Sequence, residues 1–172
     1  MANKQKAVFF DRDGVLNHLI KRNGSYYSPQ KFDDFKIVEN AKHIIDDVHS
    51  KGYLAIIISN QPDITRGNLK QTELDKMSDL LYSKLNVDDI FYCTHDDYND
   101  EGCRKPAPGL IFKAKELYNI DLSRSYMIGD TWKDVEAANS ASLPFFLIDK
   151  DYNKDLMNVR RINTLRDMIN SI

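Results

Sequence analysis

Two carboxylates lie two positions apart near the start of the chain, in the segment Asp11-Arg12-Asp13-Gly14. They directly follow a short apolar run at residues 7–10 that has the character of a buried strand. Such a pair suits acid chemistry on a phosphate ester: one ionised carboxylate attacks phosphorus, and the other carries a proton because crowding raises the pKa of one carboxyl. Attack on an anionic phosphate needs a screening cation, and Mg²⁺ prefers oxygen ligands. A turn or helix cap built from Asp and Gly is the alternative interpretation.

A second acidic segment follows a later apolar run. Asp130 comes directly after Gly129, and Asp134 lies four residues further on, roughly one helical turn away. Asp130 can complete a metal site with Asp11, and Asp134 can either ligate the metal or brace the site from the same helix face. The alternatives are a helix cap for Asp130 and a solvated side chain for Asp134.

Hydrogen-bond donors follow the apolar run at residues 53–58. Ser59, Asn60 and Gln61 supply a hydroxyl and two amides that can donate to phosphoryl oxygens as charge spreads over them. Helix capping by Ser59 or Asn60 is the alternative. Arg66, a few residues later, is a candidate for contact with a substrate phosphate or hydroxyl, and an exposed surface position is equally compatible with its sequence context.

Two cations precede a helical pattern in the second half of the chain. Lys105 can balance the carboxylates and bind the transferring phosphoryl group. Arg104 can bind the body of the substrate, because a planar guanidinium matches phosphate or vicinal hydroxyls. A solvated basic pair is the alternative interpretation.

Short apolar runs alternate with stretches of helical period along the chain. The runs predict five strands, at residues 7–10, 53–58, 90–93, 126–128 and 145–148. The helical patterns cover residues 41–48, 74–85, 111–118, 132–140 and 165–169. This order predicts an α/β fold, a Rossmann-like three-layer parallel sheet with helices on both faces. Ligands of such sheets lie beyond the carboxyl ends of the strands, where the acidic, hydroxyl and cationic segments fall.

The length of 172 residues predicts one compact domain over residues 1–172. Apolar and charged fractions of 42% and 29% are ordinary for globular chains, so disordered and collagen-like classes are excluded. Residues 15–37 have no clear period and carry several charges. We interpret them as either a long surface connection or a flap that faces the substrate.

Several classes of partner are disfavoured by composition. No apolar run approaches the roughly 18–20 residues that span a bilayer, and the start of the chain does not resemble a secretion signal. Two cysteines are too few for a disulfide scaffold and indicate a reducing compartment, so we expect a cytoplasmic protein. A net charge of −2 without clustered Lys or Arg predicts no nucleic acid or membrane partner. A monomer is the default expectation.

The motifs are more specific together than apart. Asp-x-Asp-Gly, a strand that ends in Ser, Lys before a helix, and Gly-Asp-x-x-x-Asp occur in this order, each at a predicted strand end or helix entry. The set resembles the haloacid dehalogenase-like phosphatase superfamily over roughly residues 7–148. Within it, residues 9–17, 59–67 and 103–109 resemble the branch that contains heptose 1,7-bisphosphate phosphatases and histidinol-phosphate phosphatases.

This resemblance implies roles for the motif residues. Asp11 would be the nucleophile that forms an aspartyl-phosphate, Asp13 the general acid and later base, and Ser59 and Lys105 the phosphoryl-binding pair. Mg²⁺ would be held by Asp11, the main-chain carbonyl of Asp13, and Asp130. The expected contacts with substrate are Asn60, Arg66 and Arg104.

The branch also implies a small flap in place of a large cap domain and a small phosphorylated sugar as the substrate. The first expectation is a phosphomonoesterase that removes the C7 phosphate of D-glycero-D-manno-heptose 1,7-bisphosphate, and the second is a histidinol-phosphate phosphatase. Two other classes compete: a phospho-accepting receiver module and a binding domain without activity. An acid/base at Asp13 argues against the receiver, because it shortens the life of a phospho-enzyme.

The resemblance breaks at a loop over residues 93–103. The branch often carries a zinc loop of the form Cys-x-His followed by Cys-x-Cys, whereas here Cys93 and His95 are followed by Glu101 and Cys103. Because structural zinc sites typically use four Cys or His ligands, we expect a shortened, metal-free loop closed by hydrogen bonds. Zn²⁺ held by Cys93, His95, Cys103 and a nearby acid is the alternative.

Overall fold

The computed structural model describes residues 4–96 and 102–172. In chain order its strands are β1 (Lys6–Phe10), β2 (Ile20–Arg22), β3 (Ser25–Tyr27), β4 (Tyr53–Asn60), β5 (Asp89–Cys93), β6 (Tyr126–Gly129), β7 (Phe145–Ile148) and β8 (Arg161–Ile162). Its α-helices are α1 (Ala41–Ser50), α2 (Gln71–Leu85), α3 (Gly109–Tyr118), α4 (Trp132–Ser140) and α5 (Leu165–Ile169). All five predicted strands and all five predicted helices are present.

Six of the strands form one parallel sheet in the order β5-β4-β1-β6-β7-β8. Strand β1 lies between β4 and β6, with Phe10 opposite both Ile57 and Ile128. The chain segments that leave the carboxyl ends of these three central strands are therefore neighbours. This sheet, with helices on both faces, confirms the predicted fold class.

The strands bury both faces, as expected for a parallel sheet. Alternate residues of β1 point to opposite layers: Val8 and Phe10 pack with α1, α2 and α5, whereas Ala7 and Phe9 pack with α3 and α4. Each helix contributes its apolar stripe to one of these two layers, for example Ile44 of α1 and Ile111 of α3. The two cores hold the sheet rigid beneath the strand ends.

The segment at residues 15–37 contains an antiparallel hairpin of β2 and β3, which we call the flap hairpin. Arg22 pairs with Ser25, so the turn consists of Asn23 and Gly24, which both have positive φ angles of 49° and 79°. An Asn-Gly pair with this backbone is a favoured two-residue hairpin turn. Strands β2 and β3 are too short for their alternation of buried and exposed residues to be recognised in the sequence. The Asn-Gly pair alone could have indicated a hairpin turn.

Short elements that the sequence did not predict lie after β7. A 3-10 turn at Asp151–Asn153 follows that strand, and the edge strand β8 adds two residues to the sheet. Among the described residues, no helix has both the length and the apolar character needed to cross a membrane.

Candidate active site

The predicted motifs meet around one cavity of about 740 Å³ at the carboxyl ends of the central strands. Asp11 follows β1, Ser59 lies near the end of β4, and Asp130 follows β6. Eight of the predicted site residues line the cavity: Asp11, Asp13, Ser59, Asn60, Arg104, Lys105, Asp130 and Asp134. The flap hairpin covers part of the same cavity through Lys21, Ser25 and Tyr26.

Lys105 lies at the centre of the charged groups. Its Nζ donates to Oδ1 of Asp11 at 2.6 Å, to Oδ1 of Asp134 at 2.6 Å and to the carbonyl of Ile58 at 3.1 Å. Burial acts to lower the pKa of Lys105, but the two carboxylates outweigh it and raise the pKa above its ordinary value. Lys105 is therefore a permanent cation beside Asp11.

Asp11 is buried next to two other acids. Burial raises its pKa well above the ordinary value; Lys105 opposes this shift, whereas Asp134 and Asp130 add to it. Lys105 donates to Oδ1 of Asp11, and no donor in the described part of the chain reaches Oδ2. Asp11 thus keeps one oxygen for a metal ion or for attack on a bound group.

Asn60 fixes the position of Lys105. Its Nδ2 donates to the carbonyl of Lys105, and its Oδ1 accepts from the amide N–H of Lys105, both at 2.9 Å. Both ends of the amide are thus bonded to the main chain that carries the central cation. The sequence predicted a substrate contact for Asn60 and gave no sign of this second task.

Asp13 is held by three side chains. Arg12 donates to both carboxylate oxygens at 3.0 Å, Asn17 Nδ2 donates to Oδ1 at 2.9 Å, and Gln61 Nε2 donates to Oδ2 at 2.7 Å. The Arg12 side chain is completely buried, beneath the rings of Phe35 and Tyr92. Burial alone would lower the pKa of Arg12, and the adjacent Asp13 raises it, so Arg12 stays charged.

Asp134 has both oxygens occupied by protein donors. Oδ1 accepts from Lys105, and Oδ2 accepts from the main-chain N–H of Thr131 at 3.0 Å and from its hydroxyl at 2.7 Å. Thr131 and Asp134 form a capping box that starts α4. This geometry favours a supporting role for Asp134, which holds Lys105 and Thr131, over direct ligation of the metal ion.

Asp130 has one oxygen in a hydrogen bond and one buried oxygen without a partner among the described residues. Oδ2 accepts from the hydroxyl of Tyr152, whereas Oδ1 is buried and has no hydrogen-bond partner among the described residues. Burial and the nearby Asp134 raise the pKa of Asp130 to about 7, and the Tyr152 hydrogen bond opposes the shift. An unsatisfied buried carboxylate oxygen is costly unless a cation or proton meets it.

The carboxylates fit a hard divalent cation. One oxygen each from Asp11, Asp130 and Asp134 lie within 4.8 Å of one another, and all three residues are buried. Oxygen donors with net negative charge are the ligands that Mg²⁺ prefers, and the unpaired Oδ1 of Asp130 supplies one directly. Both oxygens of Asp134 already accept hydrogen bonds, so Asp11 and Asp130 supply the oxygens that can hold Mg²⁺.

The two arginines proposed as substrate contacts differ in their position relative to the cavity. Arg104 lines the cavity, and its Nη1 donates to the carbonyl of His95 at 3.0 Å. Arg66 is not among the residues that line the cavity; its guanidinium forms a two-pronged ion pair with Asp96, at 2.8 and 2.6 Å. Of the two, only Arg104 lines the cavity, and its contact with substrate stays a prediction.

The loop with the cysteines differs from expectation. A disulfide joins Cys93, the last residue of β5, to Cys103, so the loop is closed by a covalent bond and the prediction of hydrogen-bond closure is wrong. Nδ1 of His95 lies 3.6 Å from Sγ of Cys103, but zinc binds thiolates, and disulfide sulfurs are not thiolates. Zn²⁺ binding by Cys93, His95 and Cys103 would require reduction of this disulfide. One ligand atom from each of the three residues lies within 4.8 Å of the others, and the zinc alternative stays a prediction. Glu101 lies outside the described residues.

Comparison with known proteins supports the fold and the motifs. The family model for haloacid dehalogenase-like hydrolases matches residues 26–142. A D-glycero-alpha-D-manno-heptose-1,7-bisphosphate 7-phosphatase of Campylobacter jejuni is 29% identical over 172 residues, 97% of this chain and 95% of that protein. A D-glycero-beta-D-manno-heptose-1,7-bisphosphate 7-phosphatase of Helicobacter pylori strain J99 is 34% identical over 149 residues, 83% of this chain and 82% of that protein.

Among solved structures, a D,D-heptose 1,7-bisphosphate phosphatase from B. bronchiseptica, complexed with magnesium and phosphate, superimposes with a TM-score of 0.84. The alignment covers 97% of each chain at 22% sequence identity, and it supports the fold. The chain belongs to the haloacid dehalogenase-like hydrolases, which confirms the resemblance seen in its motifs. Membership of a hydrolase family also removes the receiver module from consideration.

Proposed function

We propose that this protein is a Mg²⁺-dependent phosphatase that removes the C7 phosphate of D-glycero-D-manno-heptose 1,7-bisphosphate through an aspartyl-phosphate on Asp11. The observation that carries the proposal is the convergence of Asp11, Lys105 and Asp130 on one cavity. The relatives named as heptose bisphosphate phosphatases support the choice of substrate, and they include enzymes for both anomers. A cytoplasmic location and a monomeric state belong to the same proposal, and the location no longer rests on free cysteines, because Cys93 and Cys103 form a disulfide.

The chemistry follows from the geometry of the carboxylates. The ionised carboxylate of Asp11 attacks phosphorus, an oxygen–phosphorus bond forms, and the bond from phosphorus to the sugar oxygen breaks. Asp13 in its protonated form would give its proton to the departing sugar oxygen. The resulting carboxylate, which is the form that Arg12, Asn17 and Gln61 hold in the structure, then takes a proton from the water that attacks the aspartyl-phosphate. Inorganic phosphate leaves, and Asp11 and Asp13 return to their starting states.

Cations and donors stabilise the charge of the transferring group. Lys105 and the hydroxyl of Ser59 face the cavity beside Asp11 and can bind the phosphoryl oxygens. Mg²⁺, held by Asp11, Asp130 and the main-chain carbonyl of Asp13, would screen the repulsion between the nucleophile and the phosphate. Asp134 and Asn60 would serve by keeping Lys105 in place.

The cavity suits a compact polar substrate. Its volume of about 740 Å³ is within the usual range for small-molecule sites. Arg104 and Lys133 also line it, and both carry positive charge. A phosphorylated sugar matches this combination of hydroxyl donors, acceptors and cations.

The test is phosphate release in the presence of Mg²⁺ from a panel of heptose 1,7-bisphosphate anomers, hexose bisphosphates and histidinol phosphate. We expect multiple turnovers and the highest kcat/KM for a heptose 1,7-bisphosphate. An Asp11→Asn variant keeps the shape of the site and removes the nucleophile, and we expect at least a roughly thousandfold loss of turnover.

Two results would contradict the proposal. Equal turnover by the parent and Asp11→Asn would reject Asp11 as the nucleophile. A higher kcat/KM for histidinol phosphate than for any sugar bisphosphate would reject the proposed substrate while leaving the phosphatase chemistry intact.

A further inference from the structure

The 3-10 turn at Asp151–Asn153 reaches the candidate metal site from outside the region that the family model matches. Tyr152, in the middle of this turn, lines the cavity and donates its hydroxyl hydrogen to Oδ2 of Asp130. The other oxygen of that carboxylate, Oδ1, is the buried atom for which the described residues offer no partner. Tyr152 therefore bonds one oxygen of a proposed metal ligand and leaves the other oxygen without a partner among the described residues.

The backbone that carries Tyr152 is firmly anchored. The buried amide of Asn153 donates to the carbonyl of Asp130 at 2.8 Å and to that of Ile148 at 2.9 Å. Arg161 in turn donates to Oδ1 of Asn153 at 3.1 Å and to its main-chain carbonyl at 2.6 Å. The turn is thereby tied to the ends of two strands of the sheet, so the Tyr152 hydroxyl has a fixed position.

The main chain at Gly14 packs closely against this contact. A Cβ built on Gly14 would lie 2.1 Å from Oδ2 of Asp130 and 2.9 Å from the hydroxyl oxygen of Tyr152. Gly14 also has a φ of +87°, which side-chain-bearing residues rarely adopt. The main chain at Gly14 thus packs directly against the carboxylate of Asp130 and the hydroxyl of Tyr152.

The ring of Tyr152 makes a second contact, with the flap hairpin. Its centroid lies 4.8 Å from that of Tyr26 in β3, and the two rings are tilted by 54°. Aromatic pairs at this distance attract beyond simple area burial. One side chain thus joins a candidate metal ligand to the hairpin that covers the cavity.

We propose that Tyr152 is a positioning residue with two tasks: its hydroxyl holds Asp130 with Oδ1 turned toward the metal ion, and its ring holds the flap hairpin over the substrate. The inference rests on the proposed function in so far as Asp130 is a Mg²⁺ ligand. It goes further because it assigns a role to a residue outside the four motifs. Partners that orient metal ligands commonly contribute 10- to 100-fold to metal affinity.

The first test separates the hydroxyl from the ring. Tyr152→Phe removes the hydrogen bond and keeps the aromatic contact, and we expect the dissociation constant for Mg²⁺ alone, measured by isothermal titration calorimetry, to rise about tenfold. Tyr118→Phe is the matched control, because it also removes a hydroxyl that donates to a carboxylate, Oδ2 of Asp89 at 2.8 Å, away from the cavity. Circular dichroism and thermal unfolding check that the variants are folded.

The second test addresses the ring. Tyr152→Leu removes both contacts, and Tyr26→Leu removes the ring contact from the hairpin side. At saturating Mg²⁺ we expect both variants to raise KM for a phosphorylated substrate several-fold above that of Tyr152→Phe, with smaller effects on kcat. Tyr26→Leu also serves if Tyr152→Leu does not fold, because it leaves Tyr152 in place.

The outcomes are distinct from those of the function assay. Parent-like Mg²⁺ affinity in folded Tyr152→Phe would overturn the first task, whatever substrate the enzyme prefers. A KM for Tyr26→Leu equal to that of the parent would overturn the second. Failure to turn over heptose bisphosphates would reject the proposed substrate, but the Mg²⁺ titration would still decide the role of the hydroxyl.

Discussion

The amide nitrogen of Gln61 lies 2.7 Å from Oδ2 of Asp13 and 3.0 Å from Oγ of Ser59. One buried side chain thus donates a hydrogen bond to the proposed acid/base and another to the proposed phosphoryl-binding hydroxyl. Because Ser59 accepts from Gln61, its own hydrogen is free to point at a phosphoryl oxygen. Arg12 and Asn17 also donate hydrogen bonds to the carboxylate of Asp13. The acid/base is therefore positioned by residues that need not touch the substrate.

Replacing Gln61 by Leu should impair the acid step more than phosphoryl binding. We expect kcat to fall roughly tenfold or more for a sugar phosphate, whose alkoxide leaving group needs a proton. The loss should be much smaller for an aryl phosphate with an acidic leaving group. The two substrates are compared by steady-state phosphate release at saturating Mg²⁺.

Gln71→Leu is the matched control, since it removes an exposed Gln hydrogen bond to Asp75 at 2.7 Å and should change neither rate. An equal loss on both substrates in Gln61→Leu would indicate general damage to the site and would contradict the positioning role.

Lys105→Met should affect stability and activity together. The substitution leaves Asp11 and Asp134 buried without their shared cation, and breaking a buried ion pair commonly costs about 3–5 kcal/mol. Loss of a charged donor to the transferring group should also lower kcat by roughly a hundredfold or more. Urea unfolding and phosphate release measure the two effects.

The comparison is Lys76→Met, which removes an exposed lysine that pairs with Glu73 at 2.8 Å. We expect this variant to unfold and to turn over like the parent. A Lys105→Met protein with parent-like stability in the absence of Mg²⁺ would show that the central cation does not balance the carboxylates.

Much of the site was predictable because its functional side chains lie at the carboxyl ends of strands. A parallel sheet places the carboxyl ends of β1, β4 and β6 side by side, so Asp11, Ser59 and Asp130 could be grouped once the strands were recognised. Lys105 could be added because it directly precedes Pro106 and α3 in a segment rich in turn-forming residues. These inferences use only local patterns and the geometry of the fold.

Other contacts could not be predicted because they depend on side chains that meet across the sequence. Tyr152 lies 22 residues after Asp130, in a segment without a recognisable motif. The ion pair of Arg66 with Asp96 spans 30 residues, and nothing in either segment indicated it. The disulfide was missed because two cysteines alone favour the free thiols of a reducing compartment.

Stabilisation by Mg²⁺ should depend on pH. In the folded, metal-free protein burial and the nearby Asp134 raise the pKa of Asp130 to about 7, against about 3.9 in the unfolded chain, so the folded state binds this proton more tightly. The stability that the proton confers is complete below about pH 4 and is lost as pH rises through about 7. Mg²⁺ requires the ionised carboxylate, so its effect should grow over the same range.

Thermal unfolding with and without Mg²⁺, at about pH 5.5 and about pH 8, measures this linkage. We expect a clearly larger rise in melting temperature from Mg²⁺ at the higher pH. Asp130→Asn removes the titrating group and a proposed ligand, and its melting temperature should respond little to Mg²⁺ at either pH. Equal stabilisation of the parent at both values would contradict proton-linked binding at Asp130.

The two arginines give a direct test of the substrate side of the cavity. Because Arg104 lines the cavity, Arg104→Gln should raise KM for a sugar bisphosphate about tenfold, the loss expected for one hydrogen bond to a charged group. Because Arg66 pairs with Asp96, Arg66→Gln should change KM by less than about threefold. Steady-state kinetics of both variants would contradict this placement if Arg66→Gln had the larger effect.

The disulfide between Cys93 and Cys103 should be detectable by mass and should contribute to stability. It closes a loop with a sequence separation of 10 residues, for which chain-entropy arguments give about 3 kcal/mol. We expect the intact protein to gain the mass of two hydrogens on reduction. We expect the Cys93→Ser/Cys103→Ser double variant to unfold at a lower urea concentration.

The single variant Ser83→Ala, in the exposed part of α2, controls for a small change away from the loop. Identical masses before and after reduction would show that the purified protein holds free thiols, which would contradict the disulfide.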